Sequence, residues 1–220
     1  MKNNGILTCF VSCACGIAIN EPVNGAGANL LVNGSFEEPV GSSRHIAGGS
    51  TEITGWITQL NGVEVFTATD IGLGFPYPSN IADGVQAIDL PPFTYSGGGG
   101  ISQTFDTVPG VTYDVNFSAG TVASFGKSGF GSFLATVGST VNYYSLENPT
   151  QDWVWEAKAF NFTASGTTAT LTFISLDDPN RFVASIDNVS VTAVPEVEHC
   201  AVVGGLALLG FATLRRYRQV

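Results

Sequence analysis

Short stretches of alternating apolar and polar residues, separated by Gly, Pro, Asn and Asp, run through the middle of the chain. In VTYDVNFSA the odd-numbered residues from Val111 to Phe117 are apolar, and in TATLTFIS the odd-numbered residues from Ala169 to Phe173 are apolar. Successive side chains of a β-strand point to opposite faces, so each stretch predicts a strand with one face in a core.

The stretch SIDNVSV, later in the chain, is also interpreted as a strand of period two. Strict alternation places the even-numbered residues from Ile186 to Ser190 on one face and the odd-numbered residues from Asp187 to Val191 on the other. This assignment separates Ile186 from the two valines that follow it.

Eleven segments in all are predicted to be strands: NLLV, STEITGWIT, GVEVFTA, VQAIDL, ISQTFDT, VTYDVNFSA, FGSFLATVG, VNYYS, WEAKAFNFTA, TATLTFISL and FVASIDNVSVTA. Many short strands with turn residues between them are typical of an antiparallel sandwich. We therefore predict an all-β fold, a jelly-roll β-sandwich over residues 29–194, with helices only at the two termini. The run SGGGG at 96–100 is predicted to be a long flexible loop inside this domain.

The first residues have the pattern of a secretory signal. Lys2 precedes an apolar run from Ile6 to Ile19, which is short for a membrane span and typical of the central region of a signal peptide. The small residues Ala26 and Ala28 predict cleavage before Asn29. Residues 1–28 are therefore expected to be a signal helix that is removed.

A second apolar segment lies near the end of the chain. The 14 residues from Ala201 to Leu214 are apolar or small and, with Cys200, predict a transmembrane helix over residues 200–214. Fourteen helical residues are roughly 21 Å long, so a thin membrane or snorkelling arginines would have to accommodate the segment. The arginines that follow it are expected to stay cytoplasmic, which places the domain on the other side.

Charge and cysteine content narrow the classes of partner. The whole chain has a net charge of −10, and residues 29–194 hold fifteen acidic side chains against four basic ones. Binding to nucleic-acid phosphates is therefore not expected. The same residues include no cysteine, so disulfides and cysteine-based zinc sites are excluded there.

Residues 195–220 resemble the PEP-CTERM sorting signal of exported bacterial proteins. The resemblance rests on the order of Pro195-Glu196, the apolar segment and an arginine cluster, with Val197 where that family usually has a second proline. The cluster consists of Arg215, Arg216 and Arg218. The resemblance implies processing by an exosortase near Pro195-Glu196 from a membrane-anchored intermediate, then release or attachment at the cell surface, commonly beside extracellular polysaccharide.

Residues 29–192 resemble choice-of-anchor C domains, which look like relatives of a plant cell-wall protein family and of galactose-binding-like carbohydrate modules. The motifs that carry the resemblance are, in order, NLLVNGSFEEP, ITGW, VEVF, ADGVQAIDL, ISQTFDTVPGVTYDVNFSAG and SIDNVSVTAVPE. The resemblance implies a galactose-binding-like jelly roll and non-catalytic binding to polysaccharide.

The resemblance also implies a structural Ca²⁺ ion. In carbohydrate modules of this superfamily, a Glu after Asn-Gly-x-Phe and an Asp in the last strand commonly share one, and the matching residues here are Glu37 and Asp187. Ca²⁺ prefers oxygen ligands, and such an ion would join the first and last strands. The alternative is that Glu37 caps a turn and Asp187 accepts backbone hydrogen bonds.

Aromatic side chains are the candidates for sugar binding, because sugar rings stack on flat aromatic faces. The candidates are Phe75, Tyr77, Phe93, Tyr95 and Trp155. Tyr77 and Tyr95 are favoured since their segments are rich in proline and read as loops. For each candidate the alternative is packing, and Trp56 and Trp153 are expected to lie in the core.

The domain offers little that points to catalysis. His45 is its single histidine and no serine lies in a G-x-S-x-G motif, so a hydrolytic triad is not expected. The predicted function is that of an exported, surface-sorted, non-catalytic protein that binds extracellular or cell-wall polysaccharide. The alternatives are a matrix or adhesion protein without a defined glycan, and a glycoside hydrolase that uses two carboxylates.

Overall fold

The computed structural model describes residues 27–68, 80–92, 97–121, 130–147, 153–175 and 183–195. In these ranges the chain forms eleven β-strands and no helix. The strands are β1 (Arg44–Ile46), β2 (Ile57–Leu60), β3 (Val63–Thr67), β4 (Gln86–Asp89), β5 (Gly99–Asp106), β6 (Thr112–Thr121), β7 (Phe130–Val137), β8 (Thr140–Glu147), β9 (Val154–Thr163), β10 (Thr168–Ser175) and β11 (Ser185–Ala193).

The strands form two antiparallel sheets. The six-stranded sheet has the order β1-β3-β4-β11-β6-β9, and the five-stranded sheet has the order β2-β5-β10-β7-β8. Strands that are distant in the chain, such as β4 and β11, lie side by side. The arrangement confirms the predicted all-β sandwich of jelly-roll-like type.

The core lies between the two sheets, where their apolar faces meet. Phe117 of the six-stranded sheet packs edge to face on Phe173 of the five-stranded sheet, with ring centroids 5.0 Å apart, and on Phe133 at 6.0 Å. Trp56 is fully buried in the same core, beside Phe36 at 5.0 Å. These positions confirm the alternation predicted for VTYDVNFSA and TATLTFIS, and the core position of Trp56.

The prediction of a strand at NLLV is wrong. Leu30 N–H donates to the Val191 carbonyl at 2.9 Å, and the Asn29 side-chain oxygen accepts from Val191 N–H at 2.9 Å. The segment therefore runs alongside β11 but does not pair with it as a strand. The other ten predicted segments each overlap a strand, although STEITGWIT shares only its last two residues with β2. β1 was not predicted, because three residues are too few to show a period.

The loop predicted for SGGGG is wrong at its end, where Gly99 and Gly100 begin β5. A Cβ atom on Gly99 would overlap the carbonyl of Gly62 or Leu90, and one on Gly100 would overlap the carbonyl of Phe173. These glycines therefore permit close approach of neighbouring backbones inside the sheet.

Strict alternation in SIDNVSV is also wrong, because β11 contains a β-bulge. β11 pairs with β6 at Asp187–Ser118 and again at Ser190–Asn116, with a register shift between them. Asn188 is exposed and has a left-handed φ of 50°. The extra residue turns Ile186, Val189 and Val191 all toward the core.

The two predicted terminal helices lie almost wholly outside the described residues, which include only Gly27 and Ala28 of the signal segment and none of residues 200–214. Among the residues that the structure describes, no helix is long and apolar enough to cross a membrane. Both helices stay predictions.

Candidate functional site

The outer face of the six-stranded sheet carries a row of cross-strand neighbours. In the register of the sheet the row is His45, Glu64, Asp89, Ser185, Gly120 and Trp155. Directly paired residues of an antiparallel sheet share a face. Their neighbours along the strands, including Val65 and Ile186, are buried in the main core, so the row points away from it.

Two carboxyl groups of this row are buried side by side. Glu64 is 5% exposed and Asp89 is 0% exposed, and Ser185 Oγ donates to Asp89 Oδ1 at 2.5 Å. The pairing of β3 with β4 brings these acids together, which no local sequence pattern predicted. Their burial favours a structural role over contact with a bound polymer.

Trp155 ends the row and lies flat on the sheet. An ideal Cβ on Gly120 would lie 2.7 to 2.8 Å from three atoms of the six-membered indole ring, so one ring face covers Gly120. Trp155 Nε1–H donates to the Asn80 carbonyl at 2.6 Å, which fixes the ring in its plane. Trp155 is partly exposed. It is therefore a fixed aromatic surface on the outer face.

Two further aromatic rings, Trp153 and Phe66, continue from Trp155 in a series of near-parallel contacts. Its ring centroid lies 6.1 Å from that of Trp153 at an interplanar angle of 20°, and Trp153 stacks on Phe66 at 4.6 Å and 12°. Phe66, Ala87 and Trp153 form a small apolar cluster of their own, against which Ile81 and Trp155 pack. Trp153 is buried, as expected, although in this cluster and not in the main core.

A second feature of the outer face is the acidic cluster, which we define as Glu37, Asp83 and Asp187. Asp83 N–H donates to Asp187 Oδ2 at 2.7 Å, and Ser35 Oγ donates to Asp83 Oδ2 at 2.5 Å. Glu37 Oε1 accepts from Val85 N–H at 3.0 Å. The cluster thus joins the N-terminal segment, the segment before β4 and the bulge of β11.

The environment of Asp187 shifts the pKa of its carboxyl group. Burial raises the pKa of its carboxyl group to about 7, hydrogen bonds from the backbone N–H groups of Asp83 and Asn188 oppose the rise, and the charges of Asp83 and Glu37 add to it. Its side chain is 0% exposed. The folded domain therefore disfavours the charged form of Asp187 unless a cation lies nearby.

The donor chemistry of the acidic cluster suits Ca²⁺, because it supplies carboxylate oxygens. In the part of the chain that the structure describes, no group of three or more His, Cys, Asp or Glu side chains is arranged as metal ligands. Asp187 accepts backbone hydrogen bonds, which is the alternative stated for it, and Glu37 accepts one from Val85 N–H. To bind an ion, the carboxylates would have to turn toward a common centre.

Several predicted site residues lie outside the described residues, so their predicted roles are unchanged. They are Phe75, Tyr77, Phe93 and Tyr95 among the aromatic candidates, and Glu196, Arg215, Arg216 and Arg218 of the sorting segment. Pro195 is described and is exposed, two residues after the end of β11. Of the five aromatic candidates, the structure thus places Trp155 alone.

Comparison with known proteins finds a family and distant likenesses. A family model described as "Protein of unknown function (DUF642)" matches residues 29–192. No curated protein matches the chain significantly.

Three solved structures are similar in fold, all at low identity. TmCBM61 in complex with β-1,4-galactotriose has 18% identity and a TM-score of 0.49, and the match covers 76% of this chain and 99% of that one. The CBM22-1 xylan-binding domain of Paenibacillus barcinonensis Xyn10C has 17% identity and a TM-score of 0.44, covering 78% and 98%. A family 35 carbohydrate-binding module of Clostridium thermocellum has 10% identity and a TM-score of 0.42, covering 70% and 100%.

Proposed function

The chain belongs to the family described as protein of unknown function (DUF642), and we propose that its sandwich is a non-catalytic module that binds extracellular polysaccharide. The observation that carries this proposal is Trp155, a flat ring fixed by Gly120 and Asn80 on the outer face of a sheet. Such a ring offers the apolar surface on which the C–H face of a sugar stacks. Phe75, Tyr77, Phe93 and Tyr95, which lie outside the described residues, stay candidates for sugar binding.

Affinity electrophoresis tests the proposal. The purified domain, residues 29–194, is run in native gels that contain xylan, β-1,4-galactan or a mixed-linkage β-glucan. Retardation in at least one gel, with no new reducing ends in the polysaccharide, is the expected result. Equal mobility in all gels and in an empty gel would contradict polysaccharide binding and favour a matrix protein without a defined glycan.

Hydrolysis by two carboxylates is the competing function, and Glu64 with Asp89 is the pair to examine. Release of reducing ends that stops in Asp89→Asn, with the thermal midpoint retained, would replace binding by catalysis as the proposed function. We expect no release, because both carboxyl groups are buried.

We further propose that Ca²⁺ binds between Glu37, Asp83 and Asp187 and stabilises the domain. Asp83 adds a third carboxylate to the two that the sequence indicated. An ion there would favour the charged form of Asp187, which burial otherwise disfavours. The expected result is a higher thermal midpoint in calcium than in EGTA for the wild type, and no difference in Asp187→Asn.

Asp114→Asn is the matched control for the calcium experiment. Asp114 lies on β6 beside the end of β11, outside the acidic cluster, and pairs with Thr192. This variant should keep the response to calcium. An equal midpoint of the wild type in calcium and in EGTA, after thorough removal of metal, would contradict the calcium site.

The route to the outside of the cell is part of the proposal. Residues 1–28 would direct export, residues 200–214 would hold an inner-membrane intermediate, and an exosortase would process the chain near Pro195-Glu196. The product would then reach the cell surface or the medium, where polysaccharide is available. The alternating, acidic, cysteine-free domain is compatible with that location.

A further inference from the structure

A polar cavity lies on the outer face of the six-stranded sheet, beside the bulge of β11. It measures about 240 Å³. The volume is several times the roughly 30 Å³ that a water molecule occupies in the liquid, so a single sugar ring is a reasonable occupant. The outward-facing residues that line it are Asn116, Ser118, Ala157, Ala159, Asn188 and Ser190.

The polar side chains of this cavity are available to a ligand. In the described part of the chain, the side chains of Asn116, Ser118, Asn188 and Ser190 make no hydrogen bond to protein. An amide side chain both donates and accepts, and so does a hydroxyl group. Two amides and two hydroxyl groups around a floor of small alanines therefore match the hydroxyl groups and ring of a sugar.

The cavity continues the surface of Trp155. Trp155, Ala157 and Ala159 are alternate residues of β9 and share its outer face. At about 3.3 Å per residue, Ala157 lies about 7 Å and Ala159 about 13 Å from Trp155 along the strand. A polymer that stacks one ring on Trp155 can therefore place a later ring in the cavity.

The charges around the cavity favour a neutral ligand. Lys158 Nζ is held by Glu156 at 2.5 Å, so the lysine of this region is already neutralised. Of the described residues that line the cavity, Lys158 is the charged one, and its partner is Glu156. The lining thus offers uncharged polar groups to a ligand, and among the described residues around it no unpaired cation is available to attract an anionic sugar polymer.

We propose that this cavity is a subsite for one ring of a neutral glycan, and that the glycan runs along β9 from Trp155 to the bulge. The inference rests on the proposed function. It adds the direction in which the glycan lies on the sheet, a glycan length of more than one sugar and a preference for uncharged glycans.

Variants of the cavity test this proposal. Asn188→Gly removes one amide and keeps the left-handed backbone, because glycine adopts a φ of 50° without strain. Asn116→Ala removes the second amide, and Ala157→Leu fills the cavity without deleting a polar group. Asn161→Ala is the matched control, since it lies on the same face of β9, opposite Asp114 and outside the cavity.

Dissociation constants are measured by calorimetry and gel retardation with xylan, β-1,4-galactan and β-glucan, with their mono- to tetrasaccharides, and with polygalacturonate as the anionic probe. We expect Asn116→Ala with Asn188→Gly, and separately Ala157→Leu, to weaken binding of the longer oligosaccharides about tenfold. Asn161→Ala should stay within about twofold of the wild type, and thermal midpoints should verify that all variants fold.

The possible outcomes distinguish a failure of the proposed subsite from a failure of the proposed function. If the cavity variants bind neutral glycans as tightly as the wild type while Trp155→Ala loses them, the subsite is wrong and polysaccharide binding stands. Tighter binding of polygalacturonate than of every neutral polymer would overturn the neutral subsite alone. If the wild type is retained by no polysaccharide, the subsite and the proposed function are both wrong.

Discussion

Asp187 makes stability depend on pH in a direction opposite to that of an ordinary salt-bridged carboxylate. Its pKa is about 7 in the folded domain against 3.8 for an unperturbed aspartate. Between these values the folded state holds a proton that the unfolded chain has lost, so stability falls as pH rises through this window and the full penalty remains above it. A tenfold change in acidity corresponds to about 1.4 kcal/mol, so the penalty is on the order of 4 kcal/mol.

We therefore expect the metal-free domain to melt at a higher temperature at pH 5 than at pH 8. Asp187→Asn should lose most of this difference, because the amide does not titrate, while Asp114→Asn should retain it. Thermal melts in EGTA across that range provide the measurement. A wild-type midpoint that rises steadily from pH 5 to pH 8, with the same slope in Asp187→Asn, would contradict the assignment.

Gly120 determines the position of the Trp155 ring. A Cβ atom there would lie 2.7 Å from the indole, and the ring is held at its edge by Asn80, so a methyl group must displace it. We expect Gly120→Ala to weaken polysaccharide binding about as much as Trp155→Ala does, although the aromatic side chain is still present. Gel retardation with both variants measures this, and a Gly120→Ala domain that binds like the wild type would show that the ring position is unimportant.

Among the elements, β11 connects the acidic cluster with the cavity. Its bulge buries Asp187, exposes Asn188 and keeps Ile186 and Val189 in the core. Asn188 is the residue that adopts the left-handed conformation. The bulge is therefore a feature on which both proposed sites depend.

Asn188→Val should destabilise the domain by about 1–2 kcal/mol, because a β-branched residue is strained at a φ of 50°. Asn188→Gly should cost less than about 0.5 kcal/mol, since glycine accepts this conformation. Denaturant unfolding of the two variants checks the difference. Equal stabilities would mean that the bulge is not held in the left-handed conformation.

The alternation of single strands was readable in the sequence, whereas their pairing was not. The period of β6 and β10 identifies their core faces directly, and eleven short segments suffice to predict a sandwich. In SIDNVSV the apolar residues Ile186 and Val189 are three apart, which is the sequence trace of the bulge, but strict alternation overrode it. The conformation of a single residue in a strand can change which face the residues after it occupy, relative to the residues before it.

At the scale of the whole molecule, the two sites come from long-range pairing. Trp155 meets Gly120 and Asn116 meets the bulge only because β9, β6 and β11 are neighbours in one sheet, and Asp83 meets Asp187 because β4 pairs with β11 in the same sheet. The sequence could indicate Glu37, Asp187 and Trp155 as residue types in suitable segments. It could not indicate Asp83, Gly120 or the cavity, because no local period encodes them.

The terminal segments make a prediction for the intact protein. Expressed with both ends in a bacterium that has an exosortase, the chain should be recovered outside the cytoplasm with Asn29 as its first residue and without residues beyond the Pro195-Glu196 region. Intact-mass measurement of the exported product checks both ends. Full-length chain that stays in the cytosol would contradict the export route, while leaving the binding face of the domain untouched.

The central claim, that the outer face of the six-stranded sheet binds polysaccharide through Trp155, is tested most directly by one comparison of dissociation constants. Trp155→Ala is compared with Tyr143→Ala, which removes a 61% exposed aromatic from the five-stranded sheet. We predict that binding to the polysaccharide that retards the wild type weakens at least tenfold in Trp155→Ala and stays within about twofold in Tyr143→Ala, in keeping with the energy of a stacking contact. Equal binding by Trp155→Ala and the wild type, or a loss in Tyr143→Ala alone, would contradict it.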